Sequence, residues 1–129
     1  MTFGFVAFSS LEPKTHIAAH VGSSNLRLRY HLGIDIPEDG AAKIRVSSEW
    51  REWHQGEVMF FDDSFDHEVV HNGEKHRVVL IVDVWHPSLT DEDIEILSHA
   101  AEINDSENLV NPQFFPIPAS PYTAWKKLK

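Results

Sequence analysis

The chain has 129 residues, with 11 basic and 20 acidic side chains and a net charge of −9. That length provides one domain and one core, and the acidic balance excludes a general binder of the nucleic-acid backbone. Cysteine is absent, which removes disulfides and thiolate chemistry. No apolar run nears the roughly 20 residues of a membrane-spanning helix, and the N-terminus lacks the basic flank of a secretory signal. A cytoplasmic protein with no membrane contact is therefore expected.

Residues 3–10 are rich in strand formers and end at a turn, Leu11-Glu12-Pro13-Lys14-Thr15. Residues 16–20 make a short strand. The stretch 25–36 alternates most clearly: Leu26, Leu28, Tyr30 and Leu32 share one face, and Arg27, Arg29 and His31 the other. Pro37-Glu38-Asp39-Gly40 turns the chain, and 43–46, 50–53 and 57–61 are further short strands. Residues 65–70 and 77–85 are expected to form a hairpin across His71-Asn72-Gly73-Glu74, because Asn-Gly favours tight turns. A helix follows. Thr90 suits its N-cap, Asp91, Glu92 and Asp93 its first turn, and Ile94, Leu97 and Ala101 fall on one stripe. From about Asn104 the chain reads as irregular, with Pro112, Pro116, Pro118 and Pro121 among Phe114, Phe115, Tyr122 and Trp125. Short strands and frequent turns predict an all-β sandwich or small barrel, and a jelly roll is one closure of such a chain. The domain is expected over residues 1–103, and the apolar tail, 104–129, is expected to pack on it or on a partner subunit.

Several side chains carry chemistry. His20 and His67, each on a short strand, are the pair of imidazoles suited to a first-row metal, although nine His in one chain make surface and hydrogen-bonding roles common too. Arg29 and His31 point to the same side of one strand, toward either solvent or a pocket for an acidic molecule. Arg77 opens the most apolar strand and needs a carboxylate there, from a ligand or from Glu68 or Asp83. A two-residue turn at Asn72-Gly73 would aim Arg77 and His67 to opposite faces, so a shared pocket calls for an odd loop or a bulge between His71 and His76. Asp62-Asp63-Ser64 reads as a turn whose side chains bond local backbone N–H groups. Trp50, Trp53 and Trp85 read as core or rim packing.

Three segments, in order, resemble the aspartyl/asparaginyl β-hydroxylase family: FSSLEPKTHIAAHVGSSNLRLRYHLGI from Phe8, FDDSFDHEV from Phe61, and RVVLIVDVWHPSLT from Arg77. The resemblance implies a double-stranded β-helix (a cupin-like jelly roll). It also implies an Fe(2+)- and 2-oxoglutarate-dependent dioxygenase that uses O2 to hydroxylate an unactivated C–H. The target would be the β-carbon of an Asp/Asn-like residue, in a peptide or a small carboxylate-bearing molecule. It makes His20 and His67 the iron ligands, Arg77 the grip on the distal carboxylate of 2-oxoglutarate, and Ser9 its hydroxyl helper. Arg29 and His31 would hold the cofactor end near the metal, and Arg27 and Arg29 would face substrate. The common His-x-Asp/Glu half-motif is His20-Val21-Gly22 here, without its carboxylate, as in the resembled family. That leaves a coordination position open and makes halogenation a minor alternative. Family domains carry sequence before the first barrel strand, including an aromatic contact to the cofactor. The corresponding shell is expected here from Phe5, the tail, or a second copy in a homodimer. The rival from another class is a non-catalytic cupin-like module that binds a metal or a small acid.

Overall fold

A computed structural model describes the backbone of residues 5–107 and the side chains of residues 5–100. Eight strands precede one helix: β1 (Val6–Leu11), β2 (Thr15–His20), β3 (Arg27–Asp35), β4 (Ala42–Val46), β5 (Glu49–Glu52), β6 (Val58–Phe61), β7 (His67–His71), β8 (Arg77–Trp85) and α1 (Asp91–Glu107). Two four-stranded antiparallel sheets form, in the orders β1-β8-β3-β6 and β2-β7-β4-β5. The pairing is nested: β4 pairs β5, β3 pairs β6, β2 pairs β7 and β1 pairs β8. The ribbon is thus one long hairpin, doubled at the turn after Val46, where Ser47 takes φ 53, and rolled so that paired strands fall alternately into the two sheets. That is the double-stranded β-helix, or jelly roll.

The alternation in β3 decides which residues enter the sandwich. Arg29, His31 and Gly33 stand opposite Asp83, Ile81 and Val79 of β8, whereas Leu28, Tyr30 and Leu32 stand opposite Val84, Val82 and Leu80. Val79 belongs to the core between the sheets, with Leu11, Ile36, Ala42, Ile44, Val46, Trp53, Phe61 and Val69. Burial of each such aliphatic side chain stabilises the fold by about 1.5–3 kcal/mol. The polar side of β3 therefore faces inward. Its apolar side joins an outer face where Tyr30 stacks on Phe60, while Val6 (66% exposed) and Phe8 (70%) stay open to solvent.

Two expectations are corrected. Residues 65–70 and 77–85 do not pair as a hairpin. Both edges of β7 are taken, by β2 and by β4. At its end the Asn72 N–H donates to the Ala41 carbonyl and the His71 ring to the Lys75 carbonyl, and the chain passes to the other sheet. His67 and Arg77 thus approach the interior from opposite sheets, with no need of an odd loop. The helix, in turn, runs through Glu107, beyond the expected boundary at 103, because no Pro or Gly interrupts the chain there. Thr90 caps it as expected: its Oγ accepts from the Asp93 N–H, and Asp93 Oδ2 accepts from the Thr90 N–H. The remainder of the expected tail, 108–129, lies outside the described residues. Among those described, no helix is long and apolar enough to cross a membrane.

The loop between β5 and β6 folds over β3 at Gly33, whose N–H donates to Glu57 and whose carbonyl accepts from Gly56. A Cβ at position 33 would stand 2.2 Å from the His54 carbonyl oxygen. Gly33→Ala should therefore lower unfolding stability by about 3 kcal/mol, the upper end of overpacking costs, as measured by urea denaturation.

Candidate functional site

One extra residue in β2 builds the imidazole pair. Ile17 faces Val69, so a regular ladder would set Ala19 opposite His67; the bulge between Ile17 and His20 sets His20 there instead. The two rings lie 4.2 Å apart, centroid to centroid. Each ring is fixed by its own strand. The His20 Nδ1–H donates to the Ala18 carbonyl and the His67 Nδ1–H to the Phe65 carbonyl, both at 2.8 Å. A carbonyl only accepts, so Nδ1 carries the proton and the lone pair of each ring lies on Nε2, the arrangement a metal ligand needs. β2 is exposed along most of its length while His67 is buried, so this end of the sandwich opens to solvent.

Deeper in, Arg77 is 3% exposed, and among the described residues its Nε and Nη1 have no hydrogen-bond partner. Its guanidinium lies 4.6 Å from the ring centroid of Trp53, a cation–π contact. Burial without a counter-ion pulls its pKa down to about 10. Neither internal carboxylate considered for it is available. Glu68 pairs with Arg45 and His16 on the other sheet, and Asp83 pairs with Arg29. His31 (6% exposed) accepts the Trp53 indole N–H at Nδ1, 3.2 Å away, and its buried Nε2 has no partner. Burial first, then the charge of Arg77, Arg29 and His67, pushes its pKa to about 3. Phe61 stands between His31 and His67, with its ring 5.2 Å from the first and 5.6 Å from the second.

Ser9, on the inner side of β1, faces Val79, with Arg77 diagonally across the β1–β8 pair opposite Leu11. Arg27 and Arg29 also point inward but are already paired. Arg29 makes two parallel bonds of 2.8 Å to Asp83, which raise its pKa, and Arg27 binds Asp63 at 2.8 Å. Longer contacts, Arg27–Asp83 at 3.5 Å and Arg29–Asp63 at 3.7 Å, join the four into one network. Phe5 lies over the Arg29 guanidinium at 5.8 Å.

Position 22 has no room for a carboxylate. The Gly22 N–H donates to the Asp63 carbonyl, and a Cβ there would meet the Asp63 carboxyl at 2.6 Å. Among the described residues, no cluster of three or more His, Cys, Asp or Glu converges on one point. Among the described residues, the imidazole pair thus has no third side chain of these types beside it.

The structure therefore brings together His20 with His67, and Arg77 with His31 and Ser9, while it ties Arg27 and Arg29 to carboxylates. Sequence reasoning offered Asp83 to Arg77 and Asp63 to a turn, and missed their pairing with Arg29 and Arg27 and the Trp53 hydrogen bond. Asp62 does shape the expected turn, accepting from the Ser64 N–H and hydroxyl, but Asp63 turns inward to Arg27. An acid inside the apolar strand 77–85 was itself a signal that Asp83 needed an inward cation.

The buried His31 makes stability depend on pH. A depressed imidazole pKa contributes stability that is complete above the unfolded value of 6.5 and is lost as pH falls toward about 3. His67 and His86 shift in the same direction, by burial. Unfolding free energy should fall by up to about 1.4 kcal/mol per pH unit for His31 alone. His31→Gln should flatten that slope between about pH 6 and about pH 5 without abolishing it, in urea titrations at each pH.

The model for the family described as Aspartyl/Asparaginyl beta-hydroxylase matches residues 1–87. The mouse protein named aspartyl/asparaginyl beta-hydroxylase is 49% identical over 87 residues, which is 67% of this chain and 12% of that protein. The human protein of that name is 48% identical over the same length, 11% of its own. Aspartate beta-hydroxylase domain-containing protein 2 of Xenopus tropicalis is 42% identical over 90 residues, 24% of its length. The chain thus spans a small part of these relatives. Among solved structures, the fold resembles the plu4264 protein of Photorhabdus luminescens (TM-score 0.53, 17% identity, 78% of this chain and 74% of that one). It also resembles a Cupin 2 conserved barrel domain protein of Salinispora arenicola (TM-score 0.50, 15% identity, 71% of each chain). With its jelly roll, its segment order and its matched length in agreement, the chain belongs to the aspartyl/asparaginyl beta-hydroxylase family.

Proposed function

We propose that this chain is an Fe(2+)- and 2-oxoglutarate-dependent dioxygenase domain that hydroxylates an unactivated C–H, at the β-carbon of an Asp/Asn-like residue or of a small carboxylate-bearing molecule. The observation that carries the reading is Arg77: a buried guanidinium with two N–H groups unpartnered, in a pocket with a pair of imidazoles whose lone pairs lie on Nε2. A fold does not keep an unpaired charge of this kind without a ligand to meet it.

The residues fit the cofactors. His20 and His67 would hold iron through Nε2, with ring orientation set by the Ala18 and Phe65 carbonyls. Arg77 would take the distal carboxylate of 2-oxoglutarate in a bidentate pair, with Ser9 adjacent, and His31 would bond the keto-acid end. Bound there, iron(II) and 2-oxoglutarate supply the activation of O2, with succinate and CO2 released. The rest falls to the protein. Trp53 and Phe61 keep water from the deep end, and Arg77 and His31 orient the acid. Arg27 and Arg29 face substrate with their charge offset by Asp63 and Asp83, so they select by the geometry of their N–H groups more than by net charge. Gly22, closed to a carboxylate, leaves a coordination position to a small molecule.

Succinate formation from 2-oxoglutarate, with iron(II) and ascorbate, over a set of Asp-bearing peptides and free acids tests this directly. Turnover is expected with at least one, and His67→Ala should abolish it. Tight metal binding without succinate from any of them would favour the non-catalytic module instead. Metal affinity should fall as pH drops through the imidazole range, because only neutral rings ligate. The depressed pKa of His67 moves part of that loss to lower pH, which calorimetric Mn(II) titrations would record.

Arg77→Met separates function from stability. Removal of an uncompensated buried charge should raise unfolding stability by about 1–4 kcal/mol, yet abolish the rise in melting temperature that 2-oxoglutarate with Mn(II) gives the natural chain. If Arg77→Met is destabilised and still responds to the acid, Arg77 is a structural cation.

A further inference from the structure

We infer that Trp53 is a positioning residue: its indole N–H holds His31 as the Nε2–H tautomer, so that His31 and Arg77 together offer fixed donors to one bound acid. This rests on the pocket being a 2-oxoglutarate site. His20, His67 and His31 divide by tautomer, and each is set by what binds its Nδ1. In His20 and His67 a backbone carbonyl sits on Nδ1, so Nδ1 carries the proton and Nε2 the lone pair. In His31 an indole N–H sits on Nδ1 at 3.2 Å. Indole nitrogen donates and never accepts, so His31 Nδ1 carries the lone pair and the proton of the neutral ring is on Nε2. Two imidazoles are prepared as metal ligands, and the third is barred from ligation and prepared as a donor.

That donor has no partner among the described residues, nor do Nε and Nη1 of Arg77. The deep end thus presents unpartnered N–H groups, which suit a carboxylate. Trp53 touches both members: its N–H bonds His31, and its ring face lies under Arg77. It follows β5 in one sheet, while His31 and Arg77 come from β3 and β8 in the other. One side chain thus spans the sandwich and sets the two donors against each other. A Phe at 53 would keep a ring under Arg77 but release the His31 ring to flip or change tautomer.

The test has two arms. Long-range proton–nitrogen NMR of the metal-free chain reads the His31 tautomer without any acid. The natural chain is expected to show a single Nε2–H form with a hydrogen-bonded Nδ1, and Trp53→Phe to lose that bond and admit the Nδ1–H form. A natural chain with Nδ1 protonated, or a His31 spectrum unmoved by Trp53→Phe, overturns the inference. The second arm is a double-mutant cycle on 2-oxoglutarate affinity, by calorimetry with Mn(II) under argon. Trp53→Phe should weaken binding about ten-fold in the natural chain, the worth of one hydrogen bond, and hardly at all in a His31→Leu background. An equal loss in both backgrounds would make Trp53 a packing residue under Arg77 and overturn its action through His31. If the natural chain binds no 2-oxoglutarate, the cofactor reading fails and the donor role falls with it, while the NMR arm still decides whether Trp53 sets the tautomer.

Discussion

A polar side chain shut between two sheets must find a partner or cost the fold the loss of its hydration, and that requirement sorts every residue of this pocket. Arg27 and Arg29 meet it with Asp63 and Asp83. His67 meets half of it with a carbonyl of its own strand, as does His20 on the exposed strand beside it, and Trp53 meets its own with His31. What remains buried without a partner in this pocket, among the described residues, is the Nε2–H of His31 and the Nε and Nη1 of Arg77, beside the Nε2 lone pairs of His20 and His67. These leftovers are complementary to one metal ion and one acid. The pocket is best understood as the part of the interior where satisfaction was left incomplete, and the wholly apolar core around Ile44, Val46 and Val79 is what allows the fold to carry it.

Nested strand pairing is what lets such residues meet. His20 and His67 lie far apart in sequence yet face each other, because β2 and β7 are opposite stretches of the same doubled ribbon. Arg77 and Ser9 lie diagonally across the β8–β1 pair for the same reason. The two pairs sit on different sheets, so their relative position depends on the depth of the sandwich and not on any single loop. The bulge in β2 then makes the fine adjustment: it replaces Ala19 by His20 at the point facing His67, a change of one residue that a regular strand cannot make.

Much of this was legible in the sequence, and the failures have identifiable causes. Strand 77–85 followed from its apolar run, and the split faces of β3 from alternation, since period two survives whichever sheet a strand joins. The hairpin at Asn72-Gly73 did not form, because turn propensity is a local preference, while the partners of β7 are chosen by the whole ribbon. Arg77 stood out as a cation at the start of an apolar strand, but its lack of a counter-ion could not be seen until Asp83 and Glu68 were known to be spoken for. Asp63 was hidden for the opposite reason. Its neighbours Asp62 and Ser64 make an ordinary turn, and nothing local marks one Asp of an adjacent pair as the buried one. Trp53 read as packing and is packing; its N–H acquires a meaning only once His31 is placed beside it.

Charge gives the last step. Arg27 and Arg29 cancel Asp63 and Asp83, and burial holds His31 neutral. Among the described inward groups, Arg77 is then the cation left uncancelled. Under the proposed reading, a divalent metal joins it and a dianionic keto acid offsets the metal, so the closed pocket keeps one positive charge. A neutral apolar substrate gains nothing from that charge and must bear the desolvation of whatever it displaces. A substrate with a carboxylate near the reacting carbon neutralises it, in a space dry enough for the attraction to count. Under that reading a preference for an acidic target would come from the sum over the whole pocket, and Arg27 and Arg29, already paired with Asp63 and Asp83, keep that sum from rising further.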